Sequence, residues 1–235
     1  MKDRLSCLIL TFSILSAFFI IAPAFLGSQF AFYPLMTNGD VLDLFTPLVL
    51  IPLYWLLFQI SPQCRPNQKE TIIFIILVTM WVQGQGMHLV GNSIGHLTQD
   101  AAIDRDVATL TNFYDETLSH YWWHIGLIGL SALLIYRQWQ NPISDRLLGL
   151  QWEITAGVIY GINYFIDIVE SATTVIGVPF AVAIAFWVIV KGIKHLQRQP
   201  IVAFFFVAYL VANLLFFGWG LYWGGFPEFS EVGII

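Results

Sequence analysis

The sequence predicts an all-helical membrane protein, a single bundle of seven transmembrane helices over residues 1–235, N-terminus inside and C-terminus outside. Three observations predict it. First, 57% of the residues are apolar and only 11% are charged, with a mean hydropathy of +0.73. A soluble domain carries roughly 25% charged residues, so this chain has too little charge to cover a soluble surface. Disorder and coiled coil are excluded by the same scarcity, and a disulfide scaffold by the two cysteines. Second, seven apolar stretches reach the ~20 residues that cross a bilayer core. Third, the basic residues fall almost entirely on one side.

The spans are roughly 5–26, 41–60, 70–96, 113–139, 147–170, 173–196 and 200–223. They are continuous apolar runs, not the ~10-residue alternating segments of a membrane barrel. The first follows Lys2 and Arg4 and exceeds the ~7–15-residue core of a signal peptide, so it reads as an uncleaved helix. Asp40 and Asp43 open the second, where capping accounts for both. Pro62 and Pro66 precede the third, Asn141-Pro142 separates the fourth from the fifth, and Pro200 opens the seventh. With the N-terminus inside, Lys2, Arg4, Arg65, Lys69, Arg137, Arg146, Lys191, Lys194 and Arg198 fall on the cytoplasmic face. Only Arg105 falls on the other. Cys7 and Cys64 both map to the cytoplasmic side, which argues against a disulfide. The basic residues anchor loops and form no patch, so no nucleic-acid partner is expected.

Polar residues inside membrane helices are costly and mark function by default. The third span ends in QGQGMHLVGNSIGH, the fourth opens in FYDETLSHYWWHIG, and the fifth ends in IYGINYFIDIVE. His88, Asn92 and His96 stand at i, i+4, i+8 on one helix face. Glu116, His120 and His124 repeat that spacing, and Asn163, Asp167 and Glu170 stand at i, i+4, i+7. The topology puts all three stripes in the outer half of the membrane. Asp115 lies about 100° around the helix from Glu116 and is expected to cap the fourth helix. Gln83, Gln85, Ser93 and Asn163 read as structural, or as support behind the site. Gly84, Gly86, Gly91 and Gly95 read as a close-packing face. Trp123 is a candidate wall residue, His195 reads as interfacial, and Glu153 is either a satisfied core carboxylate or a distant relay.

Imidazoles and carboxylates without thiolates suit Zn²⁺, Fe²⁺ or Mn²⁺. The expected metal ligands are His88, His96, Glu116, His120, His124 and Asp167, supported from behind by Asn92, Asp115 and Asn163. Zinc is favoured and iron is the alternative. Glu170 or Asp167 is the expected general base of a metal-assisted hydrolysis of a lipid or other apolar substrate. Two other readings stay open. A di-iron site could oxidise a lipid or isoprenoid, although the Glu-x-x-His pairs of such bundles are missing. A proton, ion or small-molecule transporter would also bury such groups, although the polar residues thin out inwards. Two haems stacked across the bilayer do not fit histidines that share one depth.

In its helix number, its His120-x-x-x-His124 and its low charge, the chain resembles alkaline ceramidases and adiponectin receptors. That resemblance implies an intramembrane zinc held by three His with an acidic residue and a Ser. The order differs, because their His-x-x-x-His lies on the last helix, which here has no His. The His-boxes of membrane desaturases and hydroxylases, including His-x-x-His-His, are missing. No residue is carried over from either group.

Overall fold

The computed structural model describes residues 2–59, 65–98, 105–143 and 150–234, with the side chains of 2, 3 and 96–98 outside that description. The described residues are helical, apart from turns and one isolated bridge between Gln29 and Thr37. In chain order they form α1 (Lys2–Ile21), α2 (Asn38–Asp43), α3 (Thr46–Gln59), α4 (Gln68–Thr98), α5 (Arg105–Asn112), α6 (Ser119–Gln140), α7 (Gln151–Glu170), α8 (Thr174–Trp187) and α9 (Pro200–Trp223). Among the described residues, six stretches are long and apolar enough to cross a membrane: Arg4–Phe25, Asn38–Gln59, Gln68–Gly95, Arg105–Gln140, Thr174–Arg198 and Pro200–Trp223. These are the helices of a multi-pass membrane protein. The remaining long helix, α7, carries Glu153, Asp167 and Glu170 and packs between α1 and α9.

The bundle has its polarity turned inward. Large apolar side chains such as Ile75, Phe186, Leu214 and Phe217 face outward, while Glu153, His124, Asp167 and Arg137 are buried. That is the arrangement a hydrocarbon solvent selects. The centre is aromatic: Phe12 meets Tyr54 edge-on at 4.7 Å and stacks on Tyr160 at 5.6 Å, and Tyr160 meets Phe204 at 5.4 Å. Such pairs contribute about 0.5–1.5 kcal/mol each beyond their burial.

One end of the bundle is fixed by ionic and polar contacts. Arg137 pairs with Glu70, donates from Nε to Phe58 O at 3.2 Å and lies 4.7 Å over the Phe58 ring. Ser6 Oγ donates to Glu153 at 2.6 Å, which joins the starts of α1 and α7 and satisfies that buried carboxylate. Ile143 N–H donates to Arg198 O nearby, and exposed His195 packs edge-on to Trp139. All the site candidates lie at the opposite end.

The elements depart from the sequence reading in two places. The expected second span is a short α2 followed by α3, offset at Leu44 and Phe45. The expected fourth span, 113–139, is the middle of a continuous helical stretch beginning at Arg105. Its residues Phe113–Leu118 form a π-helical turn. Asp115 therefore caps no helix terminus, contrary to expectation.

α4 and α6 run antiparallel and touch backbone to backbone. A Cβ on Gly84 would stand 2.4 Å from Trp123 N and 2.6 Å from Ser119 O, and one on Gly126 would stand 2.7 Å from Leu77 O. Gly91 likewise admits Asp115, whose Cβ would be 2.7 Å away. Gly86 meets nothing within 4 Å, and Gly95 only an Asp115 oxygen at 3.9 Å, so half of the expected packing face packs. Overpacking a tight contact costs about 1–3 kcal/mol. Gly84→Val should therefore lower the thermal midpoint and folded yield in detergent, while Gly86→Ala should change neither.

Candidate functional site

Six of the residues expected to act together line one cavity of ≈ 630 Å³, while His124, Asp115 and Asn163 do not line it. α4 supplies His88 and Asn92, the π-helical turn Glu116, α6 His120 and Trp123, and α7 Asp167 and Glu170. A larger groove of ≈ 760 Å³ between α4 and α5 is apolar and carries no His, Asp or Glu in its lining. Gln83 faces that groove and has no part in the site.

The π-helical turn decides which carboxylate meets His88. Ser119 N–H bonds to Tyr114 O, five residues back. The bypassed Asp115 carbonyl takes the Ser119 hydroxyl instead. One extra residue in the turn slips the phase by about 100°. Asp115, not Glu116, then lies one turn before His120. Its carboxylate is 10% exposed and lies 2.8 Å from His88 Nδ1, whereas Glu116 is 50% exposed and 3.9 Å from His120 Nδ1. Glu116, an expected ligand, lines the cavity, and Asp115, expected behind the site, pairs with His88.

The histidines form two chemically different groups. The rings of His88 and His120 lie 4.9 Å apart. His88 Nδ1 is paired with Asp115 Oδ1 at 2.8 Å, whereas the buried His120 Nδ1 and Trp123 Nε1 have no hydrogen-bond partner. His124 is the opposite case. Its Nε2 lies 3.1 Å from Asp167 Oδ2, and its Nδ1 lies 3.1 Å from Thr173 Oγ1 and 3.4 Å from Ser171 Oγ. Trp123 stacks on its ring at 5.4 Å and 7°. With both nitrogens engaged, His124 has no lone pair to offer a metal in this arrangement. Among the described residues, no three His, Cys, Asp or Glu side chains are gathered closely enough to hold an ion. The side chain of His96, an expected ligand, lies outside the described residues.

The remaining expected residues are accounted for individually. Asn92 Nδ2 donates to Asp40 Oδ1 at 3.2 Å, so it supports an acid of α2. Asn163 is buried beside the site and its Oδ1 has no hydrogen-bond partner. Glu170 is committed to the C-terminal segment: its Oε2 accepts from Phe229 N–H at 2.7 Å and Ser230 N–H at 3.3 Å. This leaves Glu170 as an anchor and Asp167 as the carboxylate nearer to the chemistry.

Sequence reasoning missed four contributors. Asp40 caps α2 as expected, in a reciprocal pair with Thr37, but its second oxygen also faces the cavity side. Asp43 is not a cap. It accepts from Gln85 Nε2 at 2.8 Å and Thr46 Oγ1 at 3.1 Å, and lines the cavity. Ser171 and Thr173 end α7 and start α8, with Ala172 between them at φ 51°, the only non-glycine at positive φ among the described residues. Hydroxyls at helix ends are too common to signal a site by type alone, and a left-handed Ala leaves no mark in sequence.

The C-terminal segment covers the cavity. Phe229 packs on Trp219 at 4.6 Å and Phe165 at 5.7 Å, and Trp219 Nε1 donates to Pro227 O. Partial burial raises the Glu228 carboxyl to about 7, and the neighbouring carboxylates of Glu231, Glu170 and Glu116 reinforce the shift. Searches of protein families, curated proteins and solved structures find no match for this chain.

Two outcomes follow from this geometry. A left-handed non-glycine costs about 1–2 kcal/mol, so Ala172→Gly should be neutral or stabilising in a thermal melt and Ala172→Val destabilising. A carboxyl with a raised folded value binds its proton more tightly in the folded state, so its contribution is present below about pH 4.5 and lost as pH rises through about 7. Exchange protection of the Phe229 and Ser230 amides, corrected for intrinsic rate, should fall over that window, and Glu228→Gln should flatten the dependence.

Proposed function

We propose that the chain is an integral membrane hydrolase acting on a lipid or other apolar substrate, with a divalent metal, zinc favoured, at the His88–Asp115–His120 side of the cavity. The single observation that carries this reading is a buried His–carboxylate pair, His88 Nδ1 and Asp115 Oδ1 at 2.8 Å, with the His120 ring 4.9 Å from that of His88 and the buried His120 Nδ1 without a hydrogen-bond partner. A buried polar atom left unpaired costs about 1–3 kcal/mol, and a cation between His120 and the His88–Asp115 pair would relieve it. Since no set of three donors is pre-gathered, the ion would be enclosed by rotation of the His88 and His120 side chains. A metal in such a setting polarises a carbonyl or lowers the pKa of a bound water towards about 7. The expected metal set therefore narrows. His124 and Asp167 are engaged with each other, Glu116 is half exposed, and Asp115 takes the place assigned to Glu116.

The topology is part of the proposal: seven crossings including α7, a cytoplasmic N-terminus and a site on the outer, periplasmic or luminal side. The Lys and Arg distribution supports it, since Arg4, Lys69, Arg137 and Arg198 lie at the end of the bundle away from the cavity.

Elemental analysis of the purified chain tests the metal assignment. One zinc per chain is expected, lost from His88→Ala and Asp115→Asn but retained in His124→Ala. Full occupancy in both of the first two variants, or no metal in the wild type, would sink it.

A further inference from the structure

The α7–α8 turn places two hydroxyls against the histidine that the proposed metal does not use. Asp167 accepts from His124 Nε2, because a carboxylate can only accept, so the ring carries its hydrogen on Nε2 and presents the Nδ1 lone pair. Thr173 Oγ1 faces that lone pair at 3.1 Å; Ser171 Oγ lies 3.4 Å from it and 2.9 Å from Thr173 Oγ1, and at rest donates to Asp167 O at 2.6 Å. Ser171 lines the cavity; Thr173 is fully buried and does not. The strained Ala172 holds both in place, and such strain persists where the surrounding structure over-determines it, commonly at functional sites.

We infer that Ser171 is a catalytic nucleophile, with His124 as its base, Thr173 as a proton bridge and Asp167 as the residue that positions the imidazole. Ser171 Oγ attacks the carbonyl carbon of an ester. The Ser171 hydroxyl hydrogen turns from Asp167 O to Thr173 Oγ1 and passes to it as a proton while the Thr173 proton passes to His124 Nδ1. The tetrahedral adduct expels the alkoxide, which takes the proton back through the same bridge, leaving an acyl group on Ser171. Water then attacks that acyl carbon, gives its proton to His124, and the returning proton restores Ser171 as the carboxylic acid leaves. No oxidant or further reactant is required.

The cavity also selects a substrate class. Ile20, Ile21, Phe25 and Ile166 offer an apolar wall for an acyl chain. The polar wall holds Asp40, Asp43, Glu116, Asp167, Glu170 and Glu228, with no Lys or Arg in the lining. A neutral or cationic head group fits that wall and an anionic one is repelled. The substrate is thus a carboxylic ester of an apolar chain with a head that is not anionic.

This inference rests on the hydrolase reading, and one labelling experiment separates the two. The full chain in detergent or nanodiscs is treated with a neutral dodecyl fluorophosphonate, followed by intact mass and peptide mapping. One adduct per chain on Ser171 is expected, absent in Ser171→Ala. Labelling should slow about 100-fold or more in His124→Ala, the usual worth of a positioned base. Thr173→Val should slow it and Thr173→Ser should not, and an anionic analogue should react at least tenfold more slowly. Adducts on Thr173 or elsewhere, undiminished labelling of Ser171→Ala, or an unlabelled but folded and monodisperse wild type would overturn the assignment. A metal-free chain that labels at Ser171 fails the metal assignment alone, and a metal-loaded chain that does not label fails the nucleophile alone.

Discussion

The close approach of α4 and α6 is the constraint on which the site depends. Their backbones meet because Gly84 and Gly126 present no Cβ, and Gly91 leaves room for Asp115 one turn further on. At that separation His88 and Asp115 come within 2.8 Å and the His88 and His120 rings within 5 Å. A wider crossing would leave each of these polar side chains facing hydrocarbon alone, where desolvation is unfavourable. At the far end the same helix pair is fixed by Arg137 on Glu70. Small residues set the distance, and the buried ion pair sets the register.

The polar groups divide according to whether the protein itself satisfies them. Glu153, Glu170, Asp43 and His124 each have partners supplied by another element: Ser6, the backbone at Phe229, Gln85 and Asp167. These residues tie α1 to α7, the C-terminal segment to α7, and α2 to α4. His88 and Asp115 have only each other, and His120 Nδ1 has no partner. Residue type does not distinguish the two sets. Only the hydrogen-bond geometry does.

Much of the fold was legible because hydrocarbon imposes simple rules on sequence. Apolar runs and proline breaks placed most span boundaries within a few residues, and Pro200–Trp223 coincides with the last expected span. That His88, His120 and Asp167 line one cavity accords with the 3.6-residue period, which puts each on its stripe's face. The pairing of Asp115 with His88 was not legible. Periodicity assumes a regular helix, and the π-helical turn at Phe113–Leu118 breaks that assumption by one residue. Ser171, Thr173 and the C-terminal cover escaped for a different reason: their positions depend on a strained turn and on backbone N–H groups, neither of which has a side-chain signature.

The cavity's electrostatics constrain any occupant. Six carboxylates line it without a Lys or Arg, in a region where screening by water is reduced and like charges repel more strongly. The elevated Glu228 carboxyl is one local response: it keeps a proton where three other acids crowd it. Hydrogen bonding is another, in which Glu170, Asp40 and Asp43 each spread their charge over N–H donors. Asp115 stands outside that lining, and its Oδ1 lies 2.8 Å from His88 Nδ1. The His88–Asp115 pair thus stands beside a second imidazole, His120, whose buried Nδ1 has no hydrogen-bond partner. It is on this side of the cavity that the proposed cation would be held.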